Sequence, residues 1–418
     1  MNLLPGFRGP EAGSRRTKCG MAPGGGLSGG AVKPIIRRAR DMVVESCEWA
    51  KTLYKSNVQE QSHNNQNDGT KNLQPYMRLS TFKRFFAYSA IAFMAEAKPL
   101  EIRESTSLPL PSKTVYQFPT AGYWAENIAV RRNGNLLVTL LSPSPQLWQI
   151  ASPYSDAPSA ELVYTFPNMS GLVGIAETAA DTFVLAGQNF STAGVAAAWE
   201  VAFADDGNVT THKVADIPNA LVLNGATAVP GCGGSSPSAV LIADSAGGLV
   251  FRVDTKTGAV ETAVQVSEMA PIANASSPVG INGIKIRDEY LYFDNSYAAA
   301  LYRIKITSSG FAAAGASVET VARVPGETFL DDFTFGADGS IWIASNHGST
   351  VLKVNVQTGD SLVVAGASNQ TTVLGDTAAA FGGTEKDSGI LYVTTSGFNV
   401  KTPVEAGKIV AIDTTSFR

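Results

Sequence analysis

Four short stretches of this 418-residue chain place an oxygen-bearing side chain just ahead of an apolar run. They are "AENIAV" with Glu126, "LNGATAV" with Asn224, "INGIKI" with Asn282 and "LDDFTF" with Asp331. An unpaired carboxylate at the mouth of a buried strand is costly unless something compensates it. Two carboxylates and two amide carbonyls, if brought together, form a hard-oxygen set. Such a set suits Ca²⁺ or Mg²⁺, with water completing the shell. Taken singly, each position has a plainer reading, because Asn-Gly is common turn chemistry and Asp often caps a strand.

The elements that would bring them together are legible as repeats. The stretches "NLLVTLLSPSPQLWQI", "AVLIADSAGGLVFRVD", "YLYFDNSYAAALYRIK" and "SIWIASNHGSTVLKVN" each read as a β-rich run, a short polar loop and a second β-rich run. A further apolar strand precedes each, and a fourth follows most of them. The copy "GLVGIAETAADTFVLAG…AAAWEVAF" is the weakest, and the last copy ends at its third strand, "GKIVAID". The inner strands begin near residues 126, 174, 224, 282, 331 and 377, a spacing of about 46 to 58 residues. Four strands repeated six times at this period predict an all-β, six-bladed β-propeller. "KTVYQFPTAGYWAENI" parallels "ETVARVPGETFLDDFT", so Lys113–Phe118 is expected to be the outermost strand of the last blade. That N-terminal strand would close the ring and leave only short, protected edges.

In such a ring the first strand of each blade lines the axis. Glu126, Asn224, Asn282 and Asp331 then converge from different blades. His347, in the "SNHGS" loop, falls on the same face and is a candidate proton or hydrogen-bond donor. Tyr123, Trp124, Phe329 and Phe381 flank first strands, where they either wall an apolar pocket or pack between blades. Asp244 and Asn295 occupy loops equivalent to that of His347 and are further pocket candidates.

Charge is divided unevenly along the chain. Residues 1–97 hold 14 Lys+Arg and 7 Asp+Glu, a balance of +7; residues 98–418 hold 18 and 29, a balance of −11. An acidic globular part argues against nucleic acid as a partner. Residues 77–97 pair a basic start (Arg78, Lys83, Arg84) with an apolar run and Ala95-Glu96-Ala97, the pattern of a secretory signal. That run, about 11 residues, is too short to span a bilayer, so no stable membrane anchor is expected. Residues 1–76 then form a disordered extension, or Met77 is the true start. Residues 98–112 read as a linker and 113–418 as the propeller. Cleavage after Ala97 leaves Cys232 alone, so no internal disulfide is expected. Five N-x-S/T sequons, at Asn168, Asn189, Asn208, Asn274 and Asn369, fit a secretory route and mark expected glycosylation sites. The chain has no G-x-S-x-G elbow, P-loop or dinucleotide fingerprint, so no nucleotide cofactor is expected.

The repeat pattern and the four axial positions resemble the regucalcin/gluconolactonase family of six-bladed propellers, over about residues 113–418. The resemblance implies an axial divalent ion held by Glu126, Asn224, Asn282 and Asp331. "DDF" departs from the family's usual Asp-Gly, so Asp332 competes with Asp331 for that role. The segments "WAENIAVRRNGNLLVT", "LIADSAGGLVFRVD", "GINGIKI" and "AAFGGT" are similar to a secreted fungal branch. That branch includes the hetero-Diels–Alderases of tropolone–sesquiterpenoid biosynthesis. It implies a pericyclase that joins a heterodiene such as a quinone methide to a terpenoid alkene, with His347, Tyr123 or an axial Asn polarising the heterodiene oxygen. A metal-dependent lactonase, with Asp331 or Glu126 as ligand and proton carrier, is the second expectation. A non-catalytic small-molecule-binding propeller is the third. Fold alone does not choose among them.

Overall fold

The computed structural model describes residues 107–231 and 236–417. The extension, the signal segment, most of the linker and Cys232 lie outside them. The described chain forms six four-stranded antiparallel sheets. Blade one runs from Trp124–Val130 through Leu136–Ser142 and Gln146–Ala151 to Ser159–Thr165. Blades two, three, four and five have the innermost strands Gly171–Ala179, Leu223–Ala228, Ile281–Arg287 and Phe333–Phe335. Blade six is built from Asp376–Phe381, Ile390–Thr395 and Lys408–Asp413, with Ser112–Gln117 as its outer strand.

That outer strand pairs antiparallel with the last one, Ser112 opposite Ile412 and Tyr116 opposite Ile409. The ring is therefore closed by the N-terminal segment, as the parallel with "ETVARV" predicts. Among the described residues the edges of the blade sheets are thus confined to the short innermost and outermost strands of each blade.

Burial follows radius. Second strands such as Ala239–Asp244 are buried throughout, because both of their faces meet neighbouring blades. Outer strands such as Ser159–Thr165 alternate between exposed and half-buried. Apolar cores fill the wedges between blades: Leu241 and Val250 of blade three pack with Ile284 and Phe293 of blade four. Val138 and Leu140 of blade one share a core with Tyr392 and Ile409 of blade six. Burying these side chains against a neighbouring blade contributes about 1.5–3 kcal/mol each, which a lone blade could not realise.

At the axis the strands come unusually close. A Cβ on Gly225 would lie 2.6 Å from the Asn282 carbonyl oxygen, and one on Gly174 would lie 2.5 Å from that of Asn224. Gly225 therefore follows Asn224 because only a bare backbone fits against the next inner strand. Turn chemistry, the plainer reading of this Asn-Gly, is not what the glycine serves, since Asn224 and Gly225 both lie within strand Leu223–Ala228.

Candidate functional site

A cavity of about 320 Å³ opens at the end of the axis where the inner strands begin. Glu126, Asn224, Asn282 and Asp331 all line it, contributed by blades one, three, four and five. Asp331 sits just ahead of its strand, which starts at Phe333, yet its N–H still bonds the Ala344 carbonyl at 2.9 Å. The sheet ladder thus continues far enough to fix it.

Each axial side chain is held by a neighbour. Trp124 Nε1 donates to Glu126 Oε2 at 2.6 Å, and Asn346 Nδ2 donates to Asp331 Oδ2 at 3.1 Å. The amide nitrogen of Asn224 donates to Ser245 Oγ at 3.2 Å, and that of Asn282 to Ser296 Oγ at 3.0 Å. Ser245 spends its own hydrogen on the Ile281 carbonyl, at 2.5 Å, so its oxygen can only accept from Asn224. This fixes which end of the Asn224 amide faces the serine and turns the carbonyl oxygen away from it. The Asn282 Oδ1 is buried and has no hydrogen-bond partner, which is costly for an acceptor left alone.

Electrostatics point the same way. Burial pushes the Glu126 carboxyl up to about 7, the Trp124 hydrogen bond holds it partly down, and the charge of Asp332 adds to the rise. Asp331 is raised well above the usual carboxylate range, first by burial and then by the Glu126 charge. Two poorly solvated carboxylates and an orphaned amide oxygen fit a hard cation. Among the described residues no three His, Cys, Asp or Glu side chains assemble as a metal cluster. The donor set is instead two carboxylates with two amides.

Asp332 does not line the cavity. Lys285 Nζ donates to its Oδ1 at 2.6 Å, Asn127 Nδ2 to its Oδ2 at 2.8 Å and the Phe333 N–H to Oδ1 at 2.7 Å. With a cation and two donors of its own, Asp332 is committed elsewhere, and Asp331 takes the cavity position.

The walls are apolar. Leu141, Val173, Val222 and Val279 contribute aliphatic surface, and Trp124, Phe190, Tyr297 and Phe329 contribute aromatic surface. His347 lies 4.6 Å from the Phe329 ring, centroid to centroid. Burial, and then the charge of Lys401, push its imidazole below its ordinary value. His347 is therefore neutral at neutral pH and can donate one hydrogen bond but not supply a cation.

Four sequence candidates stand outside the cavity lining. Tyr123 stacks on Phe118, with centroids 5.2 Å apart, in the core shared by blades six and one. Phe381 ends the inner strand of blade six at its far end and packs edge-on against Trp342 at 5.6 Å. Asp244 accepts from the backbone N–H groups of Leu221, Val222 and Gly247, which occupies both oxygens. Asn295 donates to the Glu268 and Ala270 carbonyls and accepts from the Ala298 N–H. Asp244 and Asn295 shape rim loops, which makes them supports of the site. Of the sequons, Asn168, Asn208, Asn274 and Asn369 are exposed and Asn189 is half-buried.

Sequence reasoning did not single out Asn346, Tyr297, Phe190, Val400 or Lys401, all of which line the cavity. Asn346 had a usable signal, being the neighbour of His347 in "SNHGS". Val400 and Lys401 sit on a small hairpin, Phe398–Asn399 with Thr402–Pro403, inserted between the second and third strands of blade six. The repeat pattern carries no information about such an insertion.

No family model matches the chain. A protein provisionally named hetero-Diels–Alderase asR5, from Sarocladium schorii, is 33% identical over 346 residues, 74% of this chain and 85% of its own length. A second, from a Phoma species and provisionally named hetero-Diels–Alderase, is 34% identical over 325 residues, 69% of this chain and 88% of its own. Among solved structures, the calcium-binding protein regucalcin of Agrobacterium tumefaciens matches with a TM-score of 0.52 at 14% identity, covering 74% of this chain and 95% of its own. A gluconolactonase of Xanthomonas campestris matches with a TM-score of 0.50 at 12% identity, covering 73% and 89%. Identities this low speak to the fold alone. The chain belongs to the hetero-Diels–Alderase family, built on the six-bladed propeller of the regucalcin and gluconolactonase group.

Proposed function

We propose that this protein accelerates a hetero-Diels–Alder cycloaddition between an oxygenated heterodiene, such as a quinone methide, and a hydrocarbon alkene. The observation that carries this reading is the division of one cavity into an apolar aromatic wall and an oxygen-lined axial floor. An alkene partner is desolvated against Val173, Phe190, Phe329 and Tyr297, while the oxygenated partner faces the polar groups. Holding both in reacting geometry is worth up to roughly 7–11 kcal/mol of the barrier in favourable cases. The reaction needs no nucleophile, and among the described residues lining the cavity no Ser–His or Cys–His pair is set up for one. The names of the two relatives support the same reaction class. Residues 77–97 and the accessible sequons support a secreted, glycosylated product.

A direct test mixes purified protein with an ortho-quinone methide generated in situ and a terpenoid alkene. Acceleration over buffer, lost when Val173→Trp fills the cavity, is the expected outcome. A rate equal to buffer sinks the reading.

The orphaned Asn282 oxygen favours a second reading, a divalent-cation-dependent lactonase. Glu126, Asn224, Asn282 and Asp331 would hold Ca²⁺, or Mg²⁺, which would supply Lewis-acid polarisation of a carbonyl. The residues' own part is to fix the oxygens through Trp124, Ser245, Ser296 and Asn346, with Glu126 or Asp331 free to take a proton. Raised melting temperature with Ca²⁺, absent in Glu126→Gln, tests the cation. Lactone hydrolysis abolished by a chelator would favour this reading over the first.

A further inference from the structure

The rim hairpin carries a charge that the cycloaddition reading leaves unused. Its Phe398 ring lies 5.0 Å from that of Trp124, and its turn residues Val400 and Lys401 reach the cavity. Val400 has φ of +55°, in the left-handed region. A β-branched side chain is strained there, and Gly or Asn would be the relaxed choice. Such strain, held by surrounding structure, is a mark of functional turns. Here it is held by the Lys401 N–H bonding the Asn399 carbonyl at 2.7 Å and by Phe398 packed on Trp124.

Among the described residues lining the cavity, Lys401 is the one lysine or arginine. No described carboxylate or carbonyl pairs with its ammonium. The cavity's other donors are neutral: Ser276 and Tyr297 share a hydrogen bond, His347 holds one N–H, and those at the axis have employment. The Trp124 indole serves Glu126, the Asn346 amide serves Asp331, and the Asn224 and Asn282 amides serve serines. The axial floor therefore offers acceptors, while a substrate oxygen that gains electron density needs a donor. Lys401 and His347 both line the cavity, close enough for the lysine charge to act on the imidazole.

We propose that Lys401 is the oxyanion-binding residue of this cavity, donating a charge-assisted hydrogen bond from the strained Val400–Lys401 turn to a phenolate-like oxygen of the substrate. This rests on the cycloaddition reading. In that reaction the heterodiene and alkene consume three π bonds. One C–C bond and one C–O bond form and one π bond remains, with no proton gained or lost. Lys401 keeps its proton throughout and lowers the barrier by stabilising charge on the heterodiene oxygen. The ligand class is an ortho-quinone methide, whose carbonyl oxygen gains charge, or the anion of an acidic phenol or enol.

The probe is 4-nitrophenol, whose neutral and ionised forms absorb differently. Wild type and Lys401→Arg should favour bound phenolate over bound phenol about tenfold more than Lys401→Met does, a shift of one unit in the bound probe's pKa. Val400→Gly, which keeps the charge but relaxes the turn, should fall between them. The same Lys401→Met should lower kcat for cycloaddition at least tenfold, with KM for the alkene unchanged. Equal phenolate preference in wild type and Lys401→Met, or no binding of either form, overturns the assignment. Lost preference with full kcat overturns the catalytic role. A phenolate preference in a wild type that accelerates no cycloaddition would instead sink the functional reading and leave Lys401 as an anion site.

Discussion

Asp331 and Asp332 are neighbours in sequence and both are buried, yet they belong to different layers of the axis. Asp332 meets Lys285 and Asn127, so its charge is neutralised by the chain itself. Asp331 meets one amide from Asn346 and, with Glu126, faces a cavity. The comparison teaches how to separate a structural carboxylate from one available to a ligand. Burial is common to both, and the presence of an internal cation divides them.

The largest way to break that contrast is Lys285→Met. It leaves Asp332 without its cation, and removing one partner of a buried pair typically costs about 3–5 kcal/mol. Urea denaturation should show that loss, and Lys285→Arg should recover most of it. A loss within about 0.5 kcal/mol would mean that the two layers do not differ as described.

The second effect concerns the cavity layer and has the opposite sign. The folded-state pKa of Glu126, about 7, lies above its ordinary value of 4.5, so the folded chain binds this proton more tightly than the unfolded chain does. Stability from this group is therefore fully present below about pH 4.5. It declines as pH rises towards 7 and stays low above it. In chelator-treated protein, Glu126→Gln should be more stable than wild type at pH 8, by roughly 2–4 kcal/mol on the scale of 1.36 kcal/mol per pKa unit. The gain should shrink towards pH 5. Stability curves at pH 5 and pH 8 check it, and an unchanged difference between them counts against the assignment.

A smaller effect sharpens the contrast. Trp124→Phe keeps the ring against Phe398 but removes the N–H that Glu126 accepts. About 1–3 kcal/mol should be lost where Glu126 is ionised. The loss should fade as pH falls through about 7, which a loss of packing alone would not do.

Much of the fold and of the axial set was legible in the sequence. The repeat phase put Glu126, Asn224, Asn282 and Asp331 at one end of the axis, because ladder register ties each to its blade's second strand. Closure by the N-terminal strand was legible for the same reason. The assignment of pocket roles to Asp244 and Asn295 went further than repeat phase supports. Equivalent loops share a position, but which way a side chain turns depends on local N–H groups, and these two fold back onto their own loops. Phe381 flanks the right strand but stands at the wrong end of it. The division of labour between Asp331 and Asp332 needed Lys285, whose approach from blade four has no trace in "LDDF". Lys401 rides on an insertion, and periodicity has no register for it.

The central claim is that the cavity layer, and no other part of the molecule, steers a cycloaddition. Its most direct test is the enantiomeric excess of the cycloadduct from an in-situ ortho-quinone methide and a terpenoid alkene. The expected result is a strong excess of one enantiomer with wild type, falling towards racemic with Val173→Trp, which blocks the cavity while leaving the Lys285–Asp332 layer intact. Racemic product from wild type at the buffer rate, or undiminished selectivity with the cavity blocked, would contradict it.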